Sequence, residues 1–216
     1  MAILVALATM VILIAGAVLL SMVPLYLHGA LDRAGSAGLL GVSVAEAHAL
    51  SDATIGELVL GPGTFDVPFR GGSFYDAAEA SHLRDARTVL GGLLVVAGGS
   101  LIVLAVALAR SRRTARTWRA MAAGAGTLVV AFVVIGLAFA LAFDAAFTLF
   151  HEIFFPAGNW AFDPATQRLV QLYPIPFWQE VTLVLGAVIL IAGTSLWWLA
   201  RRRARRLAIE PTGVGG

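Results

Sequence analysis

With no cysteine among its 216 residues, this chain has only its four histidines as side chains that ordinarily titrate near neutral pH. Two of them sit among residues that could make them reactive. Glu79, His82 and Asp85 follow one another at three-residue spacing. Residues three apart are neighbours on a helix, so either carboxylate could hydrogen-bond the His82 ring and fix its tautomer. An imidazole held in that way can serve as a general base. The same spacing also suits a solvated charge pattern at a membrane boundary. His151 lies in Phe150-His151-Glu152-Ile153-Phe154-Phe155, among aromatic side chains that could line a lipid. A lone histidine in such a setting can equally be a satisfied structural residue. His28 and His48 have no comparable neighbours in sequence and are set aside.

Other chemistries fit less well. Glu79-x-x-His82 is a metal-ligand spacing, but four-helix carboxylate sites need a second such pair. His151-Glu152 has the wrong spacing for one, and there is no His-Glu-x-x-His motif, so no metal is expected. Ser73 and Ser81 lack the Gly-x-Ser-x-Gly setting of a nucleophile elbow. The missing cysteines remove thiolate chemistry and any disulfide framework.

The elements that must hold these residues are membrane helices. Hydrophobic residues make up 59% of the chain and charged ones 13%, and the mean hydropathy is +0.88. A soluble domain carries about twice that charge. Four apolar stretches, 2–23, 89–109, 120–143 and 181–200, contain no charged side chain. Each can cross a hydrocarbon core of ~30 Å at ~1.5 Å per residue. A backbone in lipid must satisfy its own hydrogen bonds, so all four are expected to be helices. The first lacks the basic start and short apolar run of a signal peptide and is expected to be a retained span. Gly91, Gly92, Gly98 and Gly99 in the second stretch, and Gly124, Gly126 and Gly136 in the third, are expected to let helices pack closely. With no ionisable residue in any span, a channel, pump or proton-coupled transporter is disfavoured.

Charge sets the orientation. All 15 basic residues are arginine. Arg110, Arg112, Arg113, Arg116 and Arg119 separate spans two and three, and Arg201, Arg202, Arg203, Arg205 and Arg206 follow span four. Except for Glu210, every acidic residue lies in the two opposite loops. Clustered arginine marks the cytoplasmic side. Both termini, the loop 110–119 and the tail 201–216 are therefore expected in the cytoplasm, with loops 24–88 and 144–180 outside. Trp118, Trp197 and Trp198 then fall at the inner boundary, and Trp160 and Trp178 at or near the outer one. The pI near 9.7 reflects this topology and not nucleic-acid binding. The expected fold class is an all-α membrane protein, a four-transmembrane-helix bundle with a small extracytoplasmic cap formed by the two outer loops.

Within the first outer loop the pattern predicts a short helix over 52–60, a turn at Gly61-Pro62-Gly63, an extended run over 64–69, and a helix from near Tyr75 into span two. The second opens with 144–155, which either prolongs span three or lies along the interface, and which Pro156 ends. If the helices continue, His82 and His151 both lie roughly 10 Å outside the hydrocarbon edge. That is the height of lipid headgroups and ester bonds. Two imidazoles there suggest acyl chemistry, one as base and one as donor to a tetrahedral intermediate.

Two stretches carry a resemblance. Glu79-x-x-His82-Leu83-x-Asp85 is one, and Phe150-His151-x-x-Phe154-Phe155, continuing through Trp160-x-Phe162-Asp163-Pro164 to Leu172-Tyr173-Pro174 and Phe177-Trp178, is the other. Together with topology and loop order, these resemble the lipoprotein intramolecular transacylase (Lit)-like family of four-span bacterial integral membrane proteins. The resemblance implies transfer of the sn-2 acyl chain of a diacylglyceryl-cysteine lipoprotein to its own N-terminal amine, giving a lyso-form lipoprotein. It implies His82 and His151 as the catalytic histidines, without assigning which is the base. It also implies Glu79, Asp85, Asp163 and Tyr173 as orienting or supporting groups. Phe150, Phe154, Phe155, Trp160 and Trp178 are the side chains expected to face lipid. No cofactor is implied, because the substrate supplies both acyl donor and acceptor. The expected partners are membrane lipids and a diacylated lipoprotein. The stretch 56–69 and Gln167, where relatives are expected to carry an acidic residue, depart from the pattern. The competing hypothesis is a non-enzymatic membrane module that binds a partner protein or lipid through its extracytoplasmic cap.

Overall fold

The computed structural model describes residues 1–111 and 114–209; Arg112 and Arg113 of the arginine-rich loop and the tail from Glu210 onward lie outside the described residues. In chain order the elements are α1 (Ala2–Ser21), α2 (Pro24–Ala34), α3 (Ser36–Leu40), α4 (Val44–Val59), β1 (Pro68–Phe69), β2 (Gly72–Ser73), α5 (Ala77–Ser111), α6 (Ala115–Leu141), α7 (Phe143–Phe154), α8 (Arg168–Leu172) and α9 (Ile175–Ile209). Four of these helices, α1, α5, α6 and α9, are long and apolar enough to cross a membrane, the number read from the sequence. Both α5 and α9 have 35 residues and outrun their apolar stretches. By contacts the chain forms two compact units: Met1–Val18, Leu93–Leu137 and Leu185–Gly216 make one, and Leu19–Gly92 with Ala138–Val184 make the other.

Among its described residues the first unit is helical except at Met1 and Thr114, and its contacts are tight. Val5, Ala107, Ala120, Met121, Ala122 and Ala200 form one buried cluster, and Ala17, Leu128 and Ile189 another. Gly124 lies against the backbone of Ala6 so closely that a Cβ would collide with the Ala6 carbonyl. Gly126 meets the Trp197 ring and Gly193 the Val129 side chain. In lipid, where apolar surface gains nothing by hiding from water, such close approach is a main source of helix association. The other expected glycines, Gly91, Gly92, Gly98, Gly99 and Gly136, have open space where a side chain would be, so only part of the small-residue pattern serves packing within the chain.

The second unit is where the two long loops fold together. Leu27, Leu31, Phe65, Phe74 and Tyr75 from the first loop share one buried core with Leu169, Leu172, Tyr173 and Phe177 from the second. Pro24 opens α2 at a position that tolerates its missing N–H, and Gly35, at φ 74°, closes it. The helix expected over 52–60 begins earlier, at Val44, because Ser43 accepts the Glu46 N–H at 3.2 Å in a Ser-x-x-Glu capping pattern. The short helices α2, α3 and α8 add to the elements expected from the sequence. Glu57 accepts the backbone N–H groups of Thr64 and Phe65, which turns the chain after Gly61-Pro62-Gly63 and buries the Phe65 ring. The expected extended run then ends as β1, paired antiparallel with β2. Inside the core, Tyr173 and Ser51 hydroxyls pair at 3.0 Å, and Tyr75 and Thr54 at 2.6 Å.

His28 and His48 also lie in this unit. Their rings stack face to face, 4.1 Å apart and 4° from parallel. The Nε2–H of His28 donates to Asp52 and that of His48 to Asp32, each at 2.8 Å. His-x-x-x-Asp thus occurs on both α2 and α4, and each helix supplies the carboxylate for the other's ring. The repeat was visible in the sequence, but only the antiparallel pairing of the helices gives it meaning.

Candidate active site

His82 is carried on the second turn of α5, and a capping box starts that helix. The Asp76 carboxylate accepts the N–H groups of Ala78 and Glu79 at 2.8 Å, and the Glu79 carboxylate accepts the Asp76 N–H at 2.7 Å. Glu79 is 2% exposed and also accepts the Leu169 N–H at 2.7 Å. It therefore pins α8 of the second loop to the start of the helix that bears His82. Burial pushes the Glu79 carboxyl up, against the two N–H donors that pull it down, while the Glu79 N–H holds Asp76 below the usual carboxylate range.

His151 is carried on α7. The chain breaks between α6 and α7 at Ala142, with φ −149° and ψ 62°, so α7 is a separate amphipathic helix and not a straight extension of the preceding one. Leu149, Phe150, Ile153 and Phe154 are on its exposed side, and His151 is the buried residue of this helix. The Nδ1–H of His151 donates to the Phe147 carbonyl one turn back, at 2.7 Å. That hydrogen bond fixes the tautomer and leaves Nε2 as the lone-pair nitrogen of the neutral ring.

The two imidazoles come together, 6.0 Å between ring centroids and 29° between planes. Phe155 touches both, at 4.6 Å from His82 and 5.5 Å from His151. Phe162 stands 5.6 Å from His82, and Phe147, Trp160 and Phe150 stand 4.1, 5.0 and 5.3 Å from His151. Loss of water among these rings disfavours the charged forms. Burial first, and then the neighbouring His151, bring His82 down to about 4, with Asp85 opposing. Burial also lowers His151, against the pull of the Phe147 carbonyl. Both rings are therefore neutral at pH 7, a pair of one directed base and one uncharged hydrogen-bond donor.

The other expected residues divide. Neither Glu79 nor Asp85 hydrogen-bonds His82; Glu79 holds backbone, and Asp85 accepts from Asn159 at 2.7 Å and reaches His82 only through its charge. The Nδ1 of His82 is buried without a hydrogen-bond partner among the described residues. Asp163 is exposed and shapes its own turn, accepting from Ala165 and Thr166. Gln167 donates to Asp76 at 3.3 Å and accepts the Asp163 N–H at 2.7 Å, an amide doing both tasks where a carboxylate could only accept. Tyr173 belongs to the core with Ser51, its hydroxyl pushed up to about 12 by burial. Of the aromatic residues, Phe150, Phe155 and Trp160 surround His151, and Phe154 packs on Phe150 at 4.8 Å. Trp178 instead packs edge-on to Phe177 and tilted against Tyr173. Phe162, quoted in the aromatic motif without a role, and Asn159, the residue just before Trp160, also join the site.

The sequence profile of the lipoprotein intramolecular transacylase Lit matches residues 48–178, which include both histidines and the whole of that motif. The chain belongs to this family. Membership makes it a membrane acyltransferase, as the resemblance implied. The integral membrane transacylase Lit from Bacillus cereus has the same fold, at TM-score 0.78 and 16% identity over 96% of each chain. Variants of that protein with a histidine replaced by arginine or by alanine match at TM-score 0.71, covering 96% of this chain and 92% or 94% of theirs. No curated protein sequence matches the chain. Within the transacylase family, the architecture seen here leaves the lipid-facing helices chemically plain and gathers the reactive groups at the loop-borne histidines.

Proposed function

We propose that the protein moves the sn-2 acyl chain of a diacylglyceryl-modified cysteine to that cysteine's free α-amine, at the outer face of the bacterial cytoplasmic membrane. The single observation that carries this reading is the neutral histidine pair, with the His151 tautomer fixed by Phe147 inside an aromatic surround. His151 Nε2 takes a proton from the amine as its nitrogen attacks the ester carbonyl carbon. The His82 ring donates a hydrogen bond to the oxygen on which charge develops, a task a neutral imidazole can perform. The new N–C bond forms, the bond from the acyl carbon to the sn-2 oxygen breaks, and the proton held on His151 returns to that oxygen. Nothing is added or removed, so the reaction is an isomerisation that needs no co-reactant. Donor and acceptor are tethered in one molecule, and proximity supplies much of the acceleration.

The arginine clusters support cytoplasmic termini, which puts the histidines on the side where lipoproteins carry their lipid. The exposed aromatic and aliphatic face of α7 suits contact with acyl chains. The test is mass spectrometry of a synthetic diacylated lipopeptide incubated with the purified protein. A product of unchanged mass that fragments as N-acyl with a monoacylglyceryl group is the expected result. No rearrangement by a folded wild-type protein would overturn the reading and favour a binding role for the loop unit.

A further inference from the structure

We infer that Asn159 is a substrate-positioning residue whose side-chain carbonyl oxygen accepts an N–H from the nucleophilic amine; the inference rests on the acyl-transfer reading. The chain delivers Asn159 through a tight turn after α7. The Gly158 N–H donates to the Phe155 carbonyl at 3.0 Å, and Gly158 takes φ 75°, a backbone angle that favours glycine. Asn159 thereby stands between Trp160, which flanks His151, and the turn that follows Phe155, which touches both histidines.

Its amide nitrogen donates to the Asp85 carboxylate at 2.7 Å and to the Ser81 hydroxyl at 3.4 Å. Those two residues are four apart on α5, on adjoining turns that flank His82. A carboxylate takes hydrogen bonds and gives none, so the nitrogen must face Asp85 and the amide cannot be turned over. The carbonyl oxygen is then fixed on the other side, and it is buried without a partner among the described residues. A buried carbonyl in a well-formed structure calls for a donor. Because His151 Nδ1–H is committed to Phe147, its Nε2 is an acceptor as well. Two acceptors, one on the His151 ring and one on an amide anchored to the turns that flank His82, suit a group with two N–H bonds. A neutral primary amine has both: one proton passes to His151 as the N–C bond forms, and the other stays on nitrogen, held by Asn159, and becomes the amide N–H of the product.

The test uses the full-length protein in detergent, a diacylated lipopeptide with a free N-terminus, and kcat and KM read by mass spectrometry. Asn159→Leu keeps the branched heavy-atom skeleton, with bulkier methyl groups, and removes the acceptor. It is expected to lower kcat by about 30–300-fold with KM within about threefold. The exchange Asp85→Asn with Asn159→Asp reverses the direction of the anchoring hydrogen bond and restores an acceptor oxygen, and it should recover at least about tenfold of that loss. A merely structural role would lower the thermal midpoint and the folded fraction without this split. Wild-type kcat in Asn159→Leu, a loss confined to KM, or a folded exchange variant no faster than Asn159→Leu overturns the inference. If Asn159→Leu does not fold, the exchange alone decides: activity within about tenfold of wild type supports it, and a folded, inactive exchange overturns it. No rearrangement by the wild type removes the acyl-transfer reading and this inference with it, an outcome distinct from all the others.

Discussion

The ring of His82 lies 6.0 Å from that of His151, centroid to centroid, and the ring of Phe155 packs against both. One ester group can therefore reach both imidazoles while water is displaced from around them. His82→Asn and His151→Asn are each expected to lower turnover by about 10²–10⁴-fold, the usual worth of a placed acid or base. Because the two act on one tetrahedral intermediate, the double variant should be little worse than the poorer single one. Product analysis of the lipopeptide reaction measures this, with circular dichroism to confirm folding. Activity near wild type in either single variant would remove that histidine from the chemistry.

The pH profile should lack a step near the ordinary histidine value. With His82 at about 4 and His151 lowered by burial, the pair stays uncharged throughout the neutral range. The rate should instead rise as the substrate amine loses its proton, at about pH 8. A profile that rises near pH 6.5 and moves when His151 is replaced would contradict the neutral-pair assignment.

Stability should depend on pH in the opposite part of the scale. The folded protein binds a proton at His82 less readily than the unfolded chain does, so unfolding takes up a proton between about pH 6.5 and about pH 4. Stability is then fully present above pH 6.5, falls as pH drops through that window, and levels off below it. Thermal unfolding in a mild detergent should show a steeper acid decline for the wild type than for His82→Gln. Parallel curves would refute the linkage.

Glu79 is expected to matter through structure. Glu79→Ala strips acceptors from the Leu169 and Asp76 N–H groups and should destabilise by on the order of 3 kcal/mol, combining an unsatisfied buried donor with a lost helix cap. Its remaining activity should follow the folded fraction as temperature is varied. Asp163→Ala, at an exposed turn, should leave turnover within about threefold. A catalytic defect in Asp163→Ala at full folding would restore that carboxylate to the site.

Much of this was legible in the residues, because the strongest signals are the least local. Four charge-free apolar runs admit one reading in lipid, and the histidine motifs stood out against a chain poor in reactive groups. The capping box of Asp76 and Glu79 is also in plain view, yet the spacing of Glu79 points to His82 as readily as to the helix start. Spacing says which side chains share a helical face, and it is silent on a backbone N–H arriving from Leu169, ninety residues on. The break at Ala142 carries no proline or glycine to announce it. Asn159 carries no signal in the sequence, because one half of an amide looks like the other until a carboxylate fixes which way it faces. His28 and His48 gain their carboxylates only when α2 and α4 lie side by side.

The fit of Gly124 against Ala6 bears on how the protein is made. Synthesis delivers Ala6 roughly ten seconds before Gly124 at ~10 residues per second, so α1 must wait in the bilayer for its partner. A helix that waits alone needs every side tolerable to lipid. α1 carries no charge, and the hydroxyl of its buried Thr9 is already answered by the Val5 carbonyl within the same helix at 2.8 Å. Its uniform apolarity thus serves the nascent chain before it serves the finished bundle, and a polar substitution on the face destined for α6 would be felt first during biogenesis, as a shortfall in inserted protein.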